Sequence, residues 1–151
     1  MPPLGVYHED QLINLGYNRW GIKPEVGVAR TISKWTAEGS AGVWLYTTND
    51  RYFRGDARKE QDPIGSFQGH VSFALPRRSG VAFDGTWFAG GASRVNGVDS
   101  PDRQRNSRLG GTVSIMTSNN QSVKVSFSAG AATRRGTDFD TLNVTWQLVV
   151  F

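Results

Sequence analysis

The stretch Val123-Lys124-Val125-Ser126-Phe127-Ser128-Ala129 alternates apolar and polar side chains with a period of two. Successive side chains of a β-strand point to opposite faces, so such a segment has one dry face and one wet face. Six further stretches of the chain show this alternation, and the apolar repeat of an amphipathic helix is missing from the sequence. The sequence therefore predicts an all-β fold of about seven antiparallel strands.

The predicted strands form an up-and-down meander, since the connections between them alternate in length. We place the strands at residues 20–31, 35–47, 66–75, 81–89, 108–115, 122–131 and 141–151. Long loops follow the second, fourth and sixth strands, so all of them lie at one end of the sheet. Transmembrane β-barrels have this asymmetry. The whole chain, 1–151, is predicted to be a single β-barrel-type domain in which residues 1–17 form an irregular N-terminal segment and residues 18–151 contain the strands.

A soluble β-sandwich or barrel is the alternative, as a ligand- or partner-binding protein whose dimerisation buries its sheet edges. Aromatic residues near the strand ends (Trp20, Trp35, Phe73 and Trp87) match the interfacial girdles of a membrane barrel. In a soluble domain the same rings are ordinary core residues.

Composition excludes several classes of site. The 151 residues contain no cysteine, which removes disulfides, thiol nucleophiles and thiolate metal sites. The net charge of +4 is small, and the arginines cluster in loops rather than along one basic stripe, so no nucleic-acid partner is expected.

Two features of the sequence bear on completeness. The start, Met1-Pro2-Pro3-Leu4-Gly5, has neither the positive nor the apolar region of a secretory signal, so we expect a mature or truncated chain, or else a soluble protein. Bacterial single-chain barrels have even strand numbers. Read as a barrel, this chain lacks at least one upstream strand, or two copies form a homo-oligomer by pairing their exposed sheet edges.

The alternation also identifies candidate pore-lining residues. In a barrel the wet face lines the lumen, where opposite charges pair or stay hydrated. The charged and titratable residues of that face are Lys23, Glu25, Glu38, His70, Asp84, Arg108 and Lys124. At a loop-to-strand entry, Asp102, Arg103 and Arg105 predict a salt-bridged network that orders the loop mouth.

Neither catalysis nor a cofactor is predicted. His70 and Ser72 share one strand face, but no neighbouring asparagine orients the imidazole as a nucleophilic site requires. The acid pairs Glu60 with Asp62 and Asp138 with Asp140 offer oxygen ligands for calcium, yet solvated loop charge is the simpler reading. We therefore expect a non-enzyme without a metal.

Seven blocks of residues occur in a recognisable order along the chain: Asn14-Leu15-Gly16, Asn18-Arg19-Trp20, Lys23-Pro24-Glu25-Val26-Gly27, Glu60-Gln61-Asp62-Pro63-Ile64, Gln68-Gly69-His70-Val71-Ser72, the run from Arg103 to Gly110, and Asp138-Phe139-Asp140-Thr141-Leu142. In this order they resemble the outer-membrane proteins of the phenol-degradation meta-pathway (MetA-pathway) family. The resemblance implies a β-barrel in the outer membrane of Gram-negative bacteria, in contact with lipid, that passively passes small and in part aromatic compounds. It matches this chain to the C-terminal half of such proteins.

The C-terminus departs from the pattern of such barrels. They typically end on an aromatic residue in phase with the lipid-facing positions, but Phe151 is in phase with Val149 and Gln147 instead of Val150 and Leu148. This predicts a bulge near Val149-Val150 or a degraded insertion signal.

Overall fold

A computed structural model of the protein describes residues 2–53, 56–134 and 139–149. The strands are β1 (Gly21–Ile22), β2 (Glu25–Ile32), β3 (Trp35–Tyr46), β4 (Asn49–Tyr52), β5 (Ala57–Gln61), β6 (Ile64–Ala74), β7 (Gly80–Gly90), β8 (Ser93–Val95), β9 (Val98–Asp99), β10 (Gln104–Ser118), β11 (Gln121–Thr133) and β12 (Thr141–Leu148). A search of the described residues for a helix long and apolar enough to cross a membrane found none. Asp138, Val150 and Phe151 lie outside these residues. The acid pair of Asp138 with Asp140 and the predicted bulge or degraded insertion signal at the C-terminus therefore lie outside the described residues as well.

Seven long strands form one antiparallel sheet in the order β2, β3, β6, β7, β10, β11, β12. Each long strand pairs with the next long strand along the chain, and the short strands of the long loops are left out of this series. The predicted all-β antiparallel meander is therefore confirmed. The predicted first strand is interrupted at Pro24. Val43 donates its N–H to the Pro24 carbonyl at 3.1 Å, but proline has no N–H to return that bond. The register with β3 is the same on both sides of the break, from Gly21 opposite Tyr46 to Glu25 opposite Gly42.

Side-chain exposure in the sheet is the reverse of that in a soluble protein. Among the described residues the only buried hydrophobic side chain is Ile64, whereas Asn49, Ser66 and Ser93 are buried polar residues. The apolar face is exposed along its length, at positions that include Val26, Val28, Trp35, Phe67, Val71, Phe83, Leu109, Val113, Phe127 and Leu142. No second sheet among the described residues covers this face, as a sandwich requires. The apolar side of the sheet therefore points away from the protein.

A second sheet of four short strands, β4, β5, β8 and β9, comes from two of the long loops. Lys59 pairs with Val95 and Gln61 with Ser93, which joins the loop after β3 to the loop after β7. Both segments were predicted as long loops, because strands of two to five residues are too short to show a readable alternation. The dipeptide Asn96-Gly97 is the one sequence signal for a hairpin in these loops. In the structure Asn96 and Gly97 have φ of 50° and 81°, the left-handed values of a tight hairpin turn.

The two edge strands of the large sheet are exposed throughout. Every residue of β2 and of β12 is exposed, and within the described chain each of these strands pairs with one neighbour. The seven strands therefore form an open curved sheet whose two edges carry unpaired backbone groups.

Candidate functional site: the polar face and the cavity at its loop end

The predicted wet-face residues of the central strands lie in one row across the sheet. The register sets Glu38 of β3 opposite His70 of β6, and His70 opposite Asp84 of β7. His70 Nδ1 and Asp84 Oδ1 are 2.5 Å apart, a short hydrogen bond across two strands. Glu38 forms no ion pair with a described residue. Two carboxylates face a single imidazole in this row, so the row is net acidic.

Arg108 places a positive charge two residues nearer the loop end. It lies opposite Thr86 and donates from Nη2 to the Ser128 carbonyl at 3.3 Å and to Ser128 Oγ at 3.0 Å. Its guanidinium carbon is 4.4 Å from the centroid of the Phe139 ring. Lys124 lies opposite Ser114, toward the tight turns. The polar face thus has cations on both sides of an acidic row.

Lys23 and Glu25 complete the set at the sheet edge, where they form an ion pair with each other. The Lys23 Nζ atom is 5.6 Å from the Trp44 ring centroid. A Cβ on Gly42 would come within 3.1 Å of Lys23 Cε, so the missing side chain of Gly42 makes room for this pair. All seven predicted residues share one face of the sheet.

The loop-mouth residues are placed differently from their predicted network. Asp102 accepts hydrogen bonds from Ser93 N at 2.8 Å and Ser93 Oγ at 2.6 Å, while Arg103 and Arg105 are exposed and form no ion pair within the described chain. Burial acts to raise the pKa of Asp102, but the hydrogen bonds from Ser93 outweigh it and hold the pKa below its ordinary value. The physical reason is that the β8–β9 hairpin folds the chain back, which places Asp102 beside Ser93 of β8.

Ion pairs of the loop region instead involve Arg94 and Arg58. Arg94 contacts Asp99 at 2.6 Å and Asp62 at 3.3 Å, and Arg58 contacts Glu60 at 2.9 Å. Glu60 and Asp62, one of the two acid pairs considered as calcium ligands, are therefore paired with arginines, and the described residues contain no cluster of three or more potential metal ligands. Ser72 makes no side-chain hydrogen bond to a described residue, and the partner of His70 is Asp84.

The N-terminal segment, residues 2–20, folds over the loop end of the polar face. It forms no strand or helix, yet internal bonds order it: Asn14 Nδ2 donates to the carbonyls of His8 and Gln11 at 3.0 and 2.8 Å. Gly5 and Gly16 pack so closely that a Cβ on Gly16 would lie 2.5 Å from the Gly5 oxygen. Larger residues at these two positions would force the segment open.

Asn49 attaches this segment to the sheet. It is 3% exposed, its Nδ2 donates to Tyr7 Oη at 3.0 Å and to the Tyr17 carbonyl at 3.3 Å, and its Oδ1 accepts from Asn18 Nδ2 at 3.0 Å. Oδ1 also accepts from Arg51 N at 3.0 Å. A single buried amide therefore connects β4 to three residues of the N-terminal segment.

Replacing this amide should release the segment. Asn49→Ala leaves buried partners unsatisfied at about 1–3 kcal/mol, so the opened population should rise roughly five- to hundredfold. Trypsin cleavage after Arg19 measures it, since cleavage of a rapidly opening segment follows the open population. Asn119→Ala, in an exposed turn, is the control. Equal cleavage of both variants would show that Asn49 does not attach the segment.

A cavity of about 490 Å³ lies between the segment and the sheet. Its aromatic lining consists of Tyr7, Tyr17, Trp44, Tyr46 and Tyr52, and its basic lining consists of Arg19 and Lys59. The rings of Trp44 and Tyr46 are parallel, with an interplanar angle of 6° and centroids 6.4 Å apart. The cavity therefore combines flat apolar walls with positive charge.

Arg19 lies at the centre of this lining. Its guanidinium carbon is 4.4 Å from the Tyr46 ring centroid and 5.8 Å from that of Tyr17, and Nη2 donates to Gln61 Oε1. Nη1 is buried and has no hydrogen-bond partner among the described residues. Burial lowers the pKa of Arg19, although a guanidinium remains protonated at neutral pH. In the sequence, Arg19 stands out only as part of the block Asn18-Arg19-Trp20. No local sequence pattern predicts that residues 2–20 fold back onto the sheet.

Comparison with known proteins identifies the family. A family model described as "Putative MetA-pathway of phenol degradation" matches residues 1–146. The chain belongs to this family. The resemblance carried by the ordered sequence blocks is thus confirmed.

The fold of this family member matches about half of a solved outer-membrane channel. The chain is similar to the COG4313 outer membrane channel from Pseudomonas putida F1, with a TM-score of 0.77 and 20% sequence identity. The match covers 96% of this chain and 54% of that channel, so the chain spans about half the channel's length. No curated protein matches the sequence.

Proposed function

We propose that this chain forms part of an outer-membrane channel that passively passes small compounds, aromatic ones among them. The observation that supports this most strongly is the reversed exposure of the sheet, with exposed apolar side chains on one face and mostly half-buried polar side chains on the other. Soluble proteins rarely expose contiguous apolar patches of this extent. Contact with lipid hydrocarbon explains the exposed apolar face, and contact with water explains the polar face.

The polar face supplies the pore lining in this proposal. Lys23, Glu25, Glu38, His70, Asp84, Arg108 and Lys124 share that face and carry both signs of charge. The polar face carries charged groups and hydroxyls on hydrogen-bonded strands; for example, Thr112 Oγ1 donates to Ser126 Oγ at 3.2 Å. Such a lining suits passive passage. Charged residues facing a water-filled lumen tune selectivity in barrels.

The partners in this proposal are bilayer lipid and the strands that close the barrel. In a meander of seven strands the first and last run in the same direction, so β2 and β12 are parallel to each other. An antiparallel barrel therefore closes with an odd number of additional strands. Two copies in the same orientation also cover both edges, as a homo-oligomer with two parallel seams.

The location follows from the same features. We place the chain in a bacterial outer membrane with its tight turns on the periplasmic side, because short periplasmic turns and long outer loops are the rule for such barrels. The small sheet and the N-terminal segment then lie at the outer end of the polar face.

Channel recordings test the proposal. In planar bilayers the protein should give discrete conductance steps, and Arg108→Glu should move the reversal potential in a salt gradient toward cation selectivity. Arg77→Glu, an equal charge change on an exposed turn residue, is the matched control and should leave selectivity nearly unchanged. The absence of steps, or equal shifts for both variants, contradicts a pore lined by the polar face.

A further inference from the structure

The cavity under the N-terminal segment has the chemistry of a binding site for one kind of anion. Its lining contains two cations, Arg19 and Lys59, and no Asp or Glu. Within the described chain Arg19 has no carboxylate partner. A partly desolvated cation without a counter-charge is unfavourable, and a bound anion offsets that cost.

Arg19, rather than Lys59, is the group available to such an anion. Both cations contact an aromatic ring, Lys59 at 4.5 Å from the Tyr52 centroid and Arg19 at 4.4 Å from the Tyr46 centroid, but the charge of Lys59 also helps to lower the pKa of the Asp102 carboxyl. Arg19 lines the cavity and uses Nη2 for Gln61, while its buried Nη1 has no hydrogen-bond partner among the described residues. The planar guanidinium fork matches a carboxylate better than a point charge does.

The rest of the lining selects an aromatic ring to accompany that carboxylate. Five aromatic side chains line the cavity, two of them, Tyr46 and Tyr17, next to the Arg19 guanidinium, and the parallel Trp44 and Tyr46 rings offer flat apolar surface. Aromatic pairs gain about 0.5–1.5 kcal/mol beyond area burial when they stack or meet edge to face. A volume of about 490 Å³ is in the range of small-molecule sites and has room for a single-ring compound.

We propose that this cavity binds a small aromatic carboxylate, with Arg19 pairing with the carboxylate and the surrounding rings contacting the aromatic ring. The idea that the bound compound is a transported one rests on the proposed channel function, but binding itself does not. A neutral phenol or hydrocarbon fills the same space and leaves the guanidinium charge uncompensated. The charged aromatic acid is therefore the preferred ligand.

Binding of benzoate to the full chain in detergent, followed by tryptophan fluorescence or calorimetry, tests this proposal. Benzyl alcohol keeps the ring and lacks the charge, whereas acetate keeps the charge and lacks the ring. We expect benzoate to bind at least tenfold more tightly than either compound. Benzoate binding that is absent, or no tighter than that of benzyl alcohol, overturns the proposal.

Two variants localise the site. Arg19→Gln should weaken benzoate binding at least tenfold, and Arg77→Gln, at an exposed turn far from the cavity, should leave it unchanged. Unchanged binding in Arg19→Gln overturns the assignment. If circular dichroism shows that Arg19→Gln does not fold, the ligand comparison on the unaltered chain still decides the question.

The outcome separates this site from the channel. Benzoate binding without conductance steps supports the site and contradicts the proposed channel. Conductance steps without preference for benzoate support the channel and overturn the site.

Discussion

Phe127→Arg is expected to abolish stable folding of the chain in a bilayer, whereas Ser126→Arg beside it is expected to be tolerated. Phe127 is at the middle of β11, 51% exposed on the apolar face between Gly111 and Leu142. An arginine on the lipid face near the midplane of a barrel costs about 2–4 kcal/mol. The lost contact of the phenyl ring with hydrocarbon adds to this cost.

The measurement is the folded fraction in lipid vesicles across a urea series, read by far-UV circular dichroism. Ser126 is the matched control, because it is one residue away and faces Thr112 on the polar side. The midpoint for Phe127→Arg should fall steeply, or no folded species should appear, while Ser126→Arg stays close to the unaltered protein. A reversed order of the two variants would mean that the faces have been assigned the wrong way round.

The second large effect is expected at the sheet edges. Photo-crosslinkers at Val28 of β2 and Val144 of β12 should form intermolecular crosslinks with a neighbouring strand in membranes. Both side chains are exposed, and both strands have eight residues with one neighbour in the described chain. Each backbone group left unpaired in hydrocarbon costs several kcal/mol, so an open edge does not persist there.

Val113 of β10 is the control for this experiment. It is equally directed to the apolar side, but β7 and β11 of the same chain flank it, so its crosslinks should stay within the chain or reach lipid. Gel electrophoresis separates the products by mass. If Val28 and Val144 behave like Val113, the sheet persists in membranes as an isolated ribbon and the edge argument fails.

The long strands could be predicted from sequence because their pattern has a physical cause at every second residue. In β11, for example, Val123, Val125 and Phe127 alternate with Lys124, Ser126 and Ser128, and the structure places the two sets on opposite faces. The first predicted strand, 20–31, is interrupted at Pro24 because proline cannot donate to a ladder. Periodicity thus determined the sheet and the polar face.

The cavity could not be predicted, because it depends on contacts that no local pattern encodes. Asn49 and Arg19 are 30 positions apart in the sequence, and they meet the same cavity only because residues 2–20 return to the end of β3. Asp102 shows a different limit: its charge pattern pointed to Arg103 and Arg105, but the short β8–β9 hairpin brings Asp102 back to Ser93 instead.

The central claim is that lipid covers the apolar face of the sheet and water reaches the polar face. Single cysteines at Val71 and Ser72, neighbours on β6 with opposite orientation, test it most directly when membranes are exposed to a water-soluble maleimide. We predict rapid labelling of Ser72→Cys and protection of Val71→Cys until detergent is added. Faster aqueous labelling of Val71→Cys in intact membranes would contradict the assignment of the two faces.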